Sequence, residues 1–278
     1  MKRRVMFLIV MCICVFGVIY GYYYIRWKYI WQQCSSIPAY KIEKHNDDTL
    51  RILIIGDSWA EMHSYLQMDT FLCSRLRKEI TCPVSVVSKG KGGEKSREIY
   101  QLMFKDGGYG TKLFFESGVD YCIIFAGIND AATNRGTKQF CYHYKLILDF
   151  LFQNKIRPVV IEIPDVDIWN MYKKKPFKDI LTDLIRSTMT HCKMYEYHDY
   201  RETLYEMLQN EKLLDRVVYV PMAKWNGAGV TINPLLFMED KIHLNYEGYC
   251  KLDESIAKAI VNNLYHSKDS SFVKYHVY

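Results

Sequence analysis

Short apolar runs that stop at a glycine or proline and give way to helical spacing recur along this chain, and that alternation restricts its fold more than any other feature. Arg51 to Ile55 is the first such run, rich in leucine and β-branched residues and halted at Gly56, as expected of a strand buried on both faces. From Trp59 to Lys78, Tyr65, Leu66, Phe71, Leu72 and Leu76 then recur at helical spacing. Val84 to Ser88 repeats the unit, with a glycine-rich turn and a helix that includes Ile99, Leu102 and Met103. Tyr121 to Ala126 precedes a helix from about Lys138 to Asn154, and Pro158 to Ile163, ending at Pro164, precedes one from Phe177 to Thr190. Tyr200 to Gln209 reads as helical and Val217 to Val220 as extended. A last amphipathic helix, about Tyr246 to Tyr265, carries Leu252, Ile256, Ala259, Ile260 and Leu264 on one face. The pattern predicts an α/β fold: a three-layer α/β/α sandwich on a mainly parallel, flavodoxin-like five-stranded sheet, with ligands at the carboxyl ends of the strands. Pro221 to Phe237, with glycines, prolines and Trp225 but no steady period, reads as an irregular loop.

One N-terminal transmembrane helix is expected ahead of this domain. Lys2, Arg3 and Arg4 open the chain, and the apolar run from Val5 to about Ile25 has the roughly 20 residues needed to cross a bilayer. No small-residue cleavage site follows, and Tyr22, Tyr23, Tyr24 and Trp27 resemble an interfacial aromatic belt, so an uncleaved anchor is favoured over a signal peptide. A lipoprotein would use Cys12 or Cys14, yet Met11 and Ile13 before them are not small. The basic start stays in the cytoplasm by the positive-inside rule, with Arg26 and Lys28 opposing that bias, so the bulk of the chain lies outside it. The expected organisation is 1–25 cytoplasmic start and anchor, 26–48 tether, 49–265 one folded domain and 266–278 a tail.

The balance of 49% hydrophobic and 24% charged residues is that of a globular domain. Net charge is +6, but basic and acidic residues are interspersed, which argues against a nucleic-acid partner. The exception within the domain, Lys173 to Lys175 before Pro176, reads as a solvated loop. The nine cysteines form no C-x-x-C pair and no metal-type spacing with histidine, which argues against zinc; Cys122 reads as a small core residue, and Cys73 could pair with Cys82 in an oxidising compartment.

Four short patterns fall where this fold would build a site. Gly56-Asp57-Ser58 follows the first strand, where Ser58 either exposes its hydroxyl on a sharp turn or caps the helix that follows. Ser88 to Ser96, S-K-G-K-G-G-E-K-S, is not a phosphate loop, because Glu94 stands where that motif needs glycine; its glycines instead free backbone N–H groups to face an anionic oxygen. Gly127-Ile128-Asn129-Asp130 follows the third strand and offers the Asn129 amide to the same crevice, or an Asx turn that holds the loop. In Asp240-Lys241-Ile242-His243, a carboxylate three residues before an imidazole can accept from one ring nitrogen and leave the other to deprotonate a hydroxyl.

Together, and in this order, the patterns resemble the SGNH hydrolases, also called the GDSL family, over about Leu50 to Tyr265. G56-D57-S58 resembles the family's first block, G127-I128-N129-D130 its G-x-N-D, and D240-K241-I242-H243 its D-x-x-H. Leu244-Asn245 follows where the family often has a proline, and Ser88 stands where its second block has asparagine. The resemblance implies Ser58 as nucleophile, His243 as base and Asp240 as the group orienting it. It implies an oxyanion hole of the Ser58 and Gly93 N–H groups and the Asn129 side chain, with Gly90 and Gly92 as neighbouring choices for the glycine. No metal or organic cofactor is required.

The expected activity is that of a serine esterase acting through an acyl-enzyme on O-acyl esters, chiefly O-acetyl groups of a cell-surface polysaccharide. O-acyltransfer to such a glycan is the near alternative, a lipid esterase or thioesterase the next, and a catalytically silent, membrane-tethered glycan-binding module the non-enzymatic one. Trp59, Trp225 and Tyr246 are expected to flank the site, either stacking on sugar faces or packing in the ordinary way. His63, at least one helical turn beyond Ser58, is expected at the rim of the site or packed on the first helix.

Overall fold

The five apolar runs become the strands Leu50–Gly56 (β1), Val84–Gly90 (β2), Tyr121–Phe125 (β3), Arg157–Ile161 (β4) and Val218–Val220 (β5). In this computed structural model, which describes residues 2–31, 34–169, 174–223, 225 and 232–266, they form one all-parallel, flavodoxin-like sheet. The strand order is β2-β1-β3-β4-β5. Every residue of β3 is buried and β1 is nearly so, which is why these strands are continuously apolar rather than alternating. The order reverses between β1 and β3, and such a switch point leaves a crevice at the carboxyl ends of the two strands.

Helices cover both faces. Ser58–Tyr65 (α2), Met68–Leu76 (α3) and Tyr246–His266 (α10) pack together on one side. Ser96–Leu102 (α4), Thr137–Gln153 (α7) and Tyr197–Asn210 (α9) pack on the other, with the shorter Lys112–Glu116 (α5) and Ile128–Ala132 (α6) between strands and Phe177–Thr190 (α8) after β4. The apolar stripe of α10 is buried through Leu252, Ile256, Ile260 and Leu264. One expected helix is in fact two: the segment after Ser58 breaks at Gln67, which is left-handed at φ 57°, and both α2 and α3 pack against β2.

Lys2–Arg26 (α1) is a helix of 25 residues, about 37 Å at 1.5 Å per residue, with none of its residues buried. The span to Tyr29 contains an 18-residue window of mean hydropathy 2.5 and is long and apolar enough to cross a membrane. Thr182 of α8 donates to the hydroxyl of Tyr23 at 3.1 Å, so the end of α1 meets the globular part.

The segment after the anchor opens with a π-helical turn, Trp27–Trp31, and residues 34–48 are irregular but not loose. Tyr100 accepts from the Ile37 N–H at 2.7 Å, Asn154 from the Ile42 N–H at 3.0 Å, and Tyr40 donates to the Met103 carbonyl at 2.7 Å. All nine cysteines are free; Cys73 donates to the Val84 carbonyl instead of pairing with Cys82, and Cys122 is buried in β3. Lys175 is half-buried against Asp183 at 2.9 Å rather than solvated, while Lys173 lies outside the described residues. So do 224 and 226–231 of the expected irregular loop and 267–278 of the tail.

Candidate active site

Gly56 ends β1 so tightly against β3 that a Cβ there would lie 2.3 Å from the Phe125 carbonyl oxygen, and only glycine fits. The chain then turns, and Asp57 caps α2 by accepting the Trp59 N–H on Oδ1 at 3.0 Å. The capping role open to Ser58 thus belongs to its neighbour. Ser58 is the first residue of α2, with its N–H at the helix amino end and its hydroxyl available for other work.

That hydroxyl meets His243, whose Nε2 is 2.8 Å from Ser58 Oγ across 185 residues of chain. On the other side of the ring, Nδ1 is 2.6 Å from Asp240 Oδ2. Asp240 Oδ1 accepts the N–H groups of Ile242 and His243 at 2.9 and 3.0 Å, a tight turn that requires Lys241 to be left-handed at φ 59°. An isolated antiparallel bridge, Phe237 to Leu244, closes the base of this turn. Asn245 then accepts the Gly248 N–H at 2.9 Å and starts α10, so the missing proline is replaced by a helix cap. Burial pushes the Asp240 carboxyl up, but the His243 ring and the two backbone donors outweigh it and hold the group below the usual carboxylate range.

Asn129 stands at the amino end of α6, across the switch point from Ser58, and its Nδ2 donates to Asp57 Oδ2 at 3.1 Å. Asp57 is buried, and burial pushes it up to about 7 against the pull of the Trp59 N–H, His243 and Asn129. Asp130, also buried, accepts the N–H and the hydroxyl of Ser96 at 2.9 and 2.7 Å. The structural role expected for the G-x-N-D turn is therefore carried by Asp130, which pins the start of α4 and with it the glycine loop. Burial pushes Asp130 up to about 6.

Within that loop the Gly92 N–H is committed to Glu61 Oε2 at 2.8 Å, and the Lys91 N–H to the Gly56 carbonyl at 3.1 Å. Gly90 is packed so closely that a Cβ would lie 2.4 Å from the Glu61 nitrogen. Gly93 is left-handed at φ 78° with open space beside its Cα.

Several expectations change. His63 is wholly buried, neither at the rim nor merely packed on its helix: Nδ1 is 2.9 Å from Asp69 and 2.8 Å from Ser88 Oγ, and Nε2 is 2.9 Å from Asp253. For Trp59 the packing reading holds: it is 2% exposed and packs among Phe125, Phe237 and Tyr249 rather than offering a face to a sugar. Trp225 is buried beneath Lys251, whereas Tyr246 is exposed at the start of α10. Asp57, Glu61, Asp69 and Asp253 went unnoticed in the sequence, although Asp57 lies inside the first motif. Among the described residues no group of three or more His, Cys, Asp or Glu is arranged to hold a metal ion.

No family model matches the sequence, and no curated protein matches it. Solved structures do share its fold. A lipase/acylhydrolase from Enterococcus faecalis is 15% identical with a TM-score of 0.51, covering 77% of this chain and 96% of its own. A GDSL-like lipase from Bacteroides thetaiotaomicron VPI-5482 is 16% identical at 0.51, covering 76% and 88%. A mutant of an acetyl-xylooligosaccharide esterase from Geobacillus Stearmophilus is 15% identical at 0.51, covering 80% and 96%. At such identities the likeness is one of fold.

Proposed function

On the premise that this chain has the SGNH (GDSL-type) hydrolase fold, we propose that it is a serine esterase that removes O-acyl groups, chiefly O-acetyl, from a cell-surface polysaccharide. The observation that carries the reading is the unbroken hydrogen-bonded series Ser58 to His243 to Asp240, with distances of 2.8 and 2.6 Å. His243 Nε2 takes the Ser58 proton as Oγ attacks the ester carbonyl, and Asp240 keeps the other ring proton on Nδ1 and steadies the imidazolium that forms. The tetrahedral oxyanion is met by the N–H groups of Ser58 and Gly93 and by the Asn129 amide. For the glycine, the commitment of the Gly92 N–H to Glu61 supports Gly93. His243 then protonates the departing sugar oxygen, and the acyl-enzyme is released to water; a second sugar hydroxyl in place of water would make the same site a transferase.

The acetylated-sugar substrate is supported by the fold shared with the acetyl-xylooligosaccharide esterase from Geobacillus. A surface location is supported by α1, with the basic start in the cytoplasm and the domain outside as a single-pass anchored enzyme.

The test is fluorophosphonate labelling and p-nitrophenyl acetate turnover by the parent and the Ser58→Ala protein, with mass spectrometry of acetylated glycans before and after exposure. Ser58-dependent labelling and loss of acetyl mass are expected. Equal labelling of the two proteins would remove Ser58 as nucleophile, and gain of acetyl mass on an acceptor would make the protein a transferase.

A further inference from the structure

A cleft of about 490 Å³ opens beside the turn that carries His243, lined by Trp169, Tyr195, Glu196, Tyr197, His198 and Lys241 among others. We propose that it is the glycan subsite of this esterase and that it takes a neutral rather than an acidic sugar chain; the inference rests on the esterase reading above.

The cleft lies at the edge of the sheet that holds the site. Val166, Asp167 and Trp169 follow β4 at the carboxyl edge of the sheet, where parallel α/β proteins hold their ligands. Lys241 lies between Asp240 and His243 in the chain, and its carbonyl accepts the Asp167 N–H at 3.0 Å. One wall of the cleft is thus stitched to the turn that presents the base to Ser58. A sugar chain held there would reach the reacting centre along the same surface.

Trp169 gives the cleft an open aromatic face. It is 61% exposed, whereas Trp59 and Trp225 are 2% and 8% exposed, so water meets a large apolar ring where the other domain tryptophans described are buried. The ring is not loose: Tyr195, itself buried, meets it edge-on with centroids 5.1 Å apart and planes at 86°. An indole fixed in place yet left open is a prepared platform for the C–H face of a sugar, with little ordering cost on binding. Tyr197 and His198 continue the aromatic lining, their rings 4.1 Å apart.

Charge selects the ligand. Among the described lining residues, two carboxylates, Asp167 and Glu196, accompany one ammonium, Lys241, which lies 3.9 Å from Asp167; Glu196 also holds the His198 ring at 2.6 Å. Carboxylates accept hydrogen bonds from sugar hydroxyls but repel uronic acids.

The test uses the full chain as its Ser58→Ala variant, so that bound ester is not consumed, with calorimetric titration of O-acetylated xylo-oligosaccharides and O-acetylated oligogalacturonides. The neutral series is expected to bind, the galacturonides at least about tenfold more weakly, and Trp169→Ala to weaken the neutral series by about tenfold or more. Tyr65→Ala, which removes an 82% exposed aromatic at the far end of α2, is expected to leave the affinity unchanged. Parent-like affinity in Trp169→Ala, equal binding of the acidic series, or binding of neither series overturns the subsite. Failure of the esterase reading is a separate result, seen as absence of Ser58-dependent p-nitrophenyl acetate turnover.

Discussion

One amide hydrogen of Asn129 is given to Asp57, whose Oδ2 lies 3.1 Å from Nδ2. A primary amide has two such hydrogens, so this bond fixes the plane of the group and leaves the second for the proposed role of oxyanion donor. Asn129→Ala removes that donor and orphans a buried oxygen of Asp57. Turnover of p-nitrophenyl acetate is expected to fall by about 100- to 1,000-fold through kcat. Stability is expected to drop by about 1–3 kcal/mol, read in denaturant titrations. A parent-like kcat would exclude Asn129 from the oxyanion hole.

Asp240 is held ionised by three donors, two of them backbone N–H groups that also set the turn. Asp240→Asn can keep the backbone bonds but presents its NH₂ to His243 Nδ1, which then has to accept. The ring proton moves to Nε2, and Nε2 can no longer receive the Ser58 proton. Loss of kcat on the order of 10⁴-fold is expected, with little change in thermal midpoint. A loss below about tenfold would mean that the ring is oriented by something else.

The depth to which this molecule was readable depended on the range of the interactions involved. β1 and β3 were visible because an apolar run halted by glycine is a local signal, and Asp240 to His243 because both partners sit within four residues. The break at Gln67 was not, since Tyr65, Leu66, Phe71 and Leu72 keep a helical period across it and no glycine or proline marks the left-handed residue. Burial of His63 depends on Ser88 and Asp253, 25 and 190 residues away, whose types suggest nothing of the kind in isolation. Trp59 and Trp169 show the same difficulty from the other side: one residue type is core in the first and exposed in the second, and only the fold distinguishes them.

Both ring nitrogens of His63 face carboxylate oxygens, Asp69 and Asp253, each at 2.9 Å. Carboxylates only accept, so both nitrogens carry hydrogen and the ring is a cation. Burial pushes His63 down, but the two carboxylates outweigh it and raise the group to about 9. Burial also pushes Asp253 up, whereas His63 and Ser88 overcome the burial of Asp69 and hold it low, so Asp69 is the firmer partner. The Tyr249 ring, edge-on at 5.7 Å, completes the surroundings. Because the folded value exceeds the unfolded one of about 6.5, this stabilisation is fully present below pH 6.5 and is lost as pH rises through about 9. Thermal melts of the full chain in detergent should therefore fall from pH 7 to 10. His63→Gln should start lower and vary less; parallel profiles for the two proteins would rule the ion pair out as the cause.

Gly56 is where the sheet and the candidate site share an atom-level constraint. A Cβ there would sit 2.3 Å from the Phe125 oxygen and 2.7 Å from the Phe125 Cβ, and that same oxygen accepts the Asp57 N–H at 3.2 Å. A backbone oxygen in a fully buried strand cannot swing aside as a flexible side chain would, so Gly56→Ala has to push β1 away from β3. The cost expected is about 1–3 kcal/mol, read as a lower midpoint in thermal or denaturant unfolding. Because Ser58 follows two residues later, the same displacement should lengthen its contact with His243, now 2.8 Å, and slow fluorophosphonate labelling in protein that is still folded. An Ala variant with the parent's midpoint and labelling rate would show that the strand end has slack, and that the glycine is not needed to set the nucleophile.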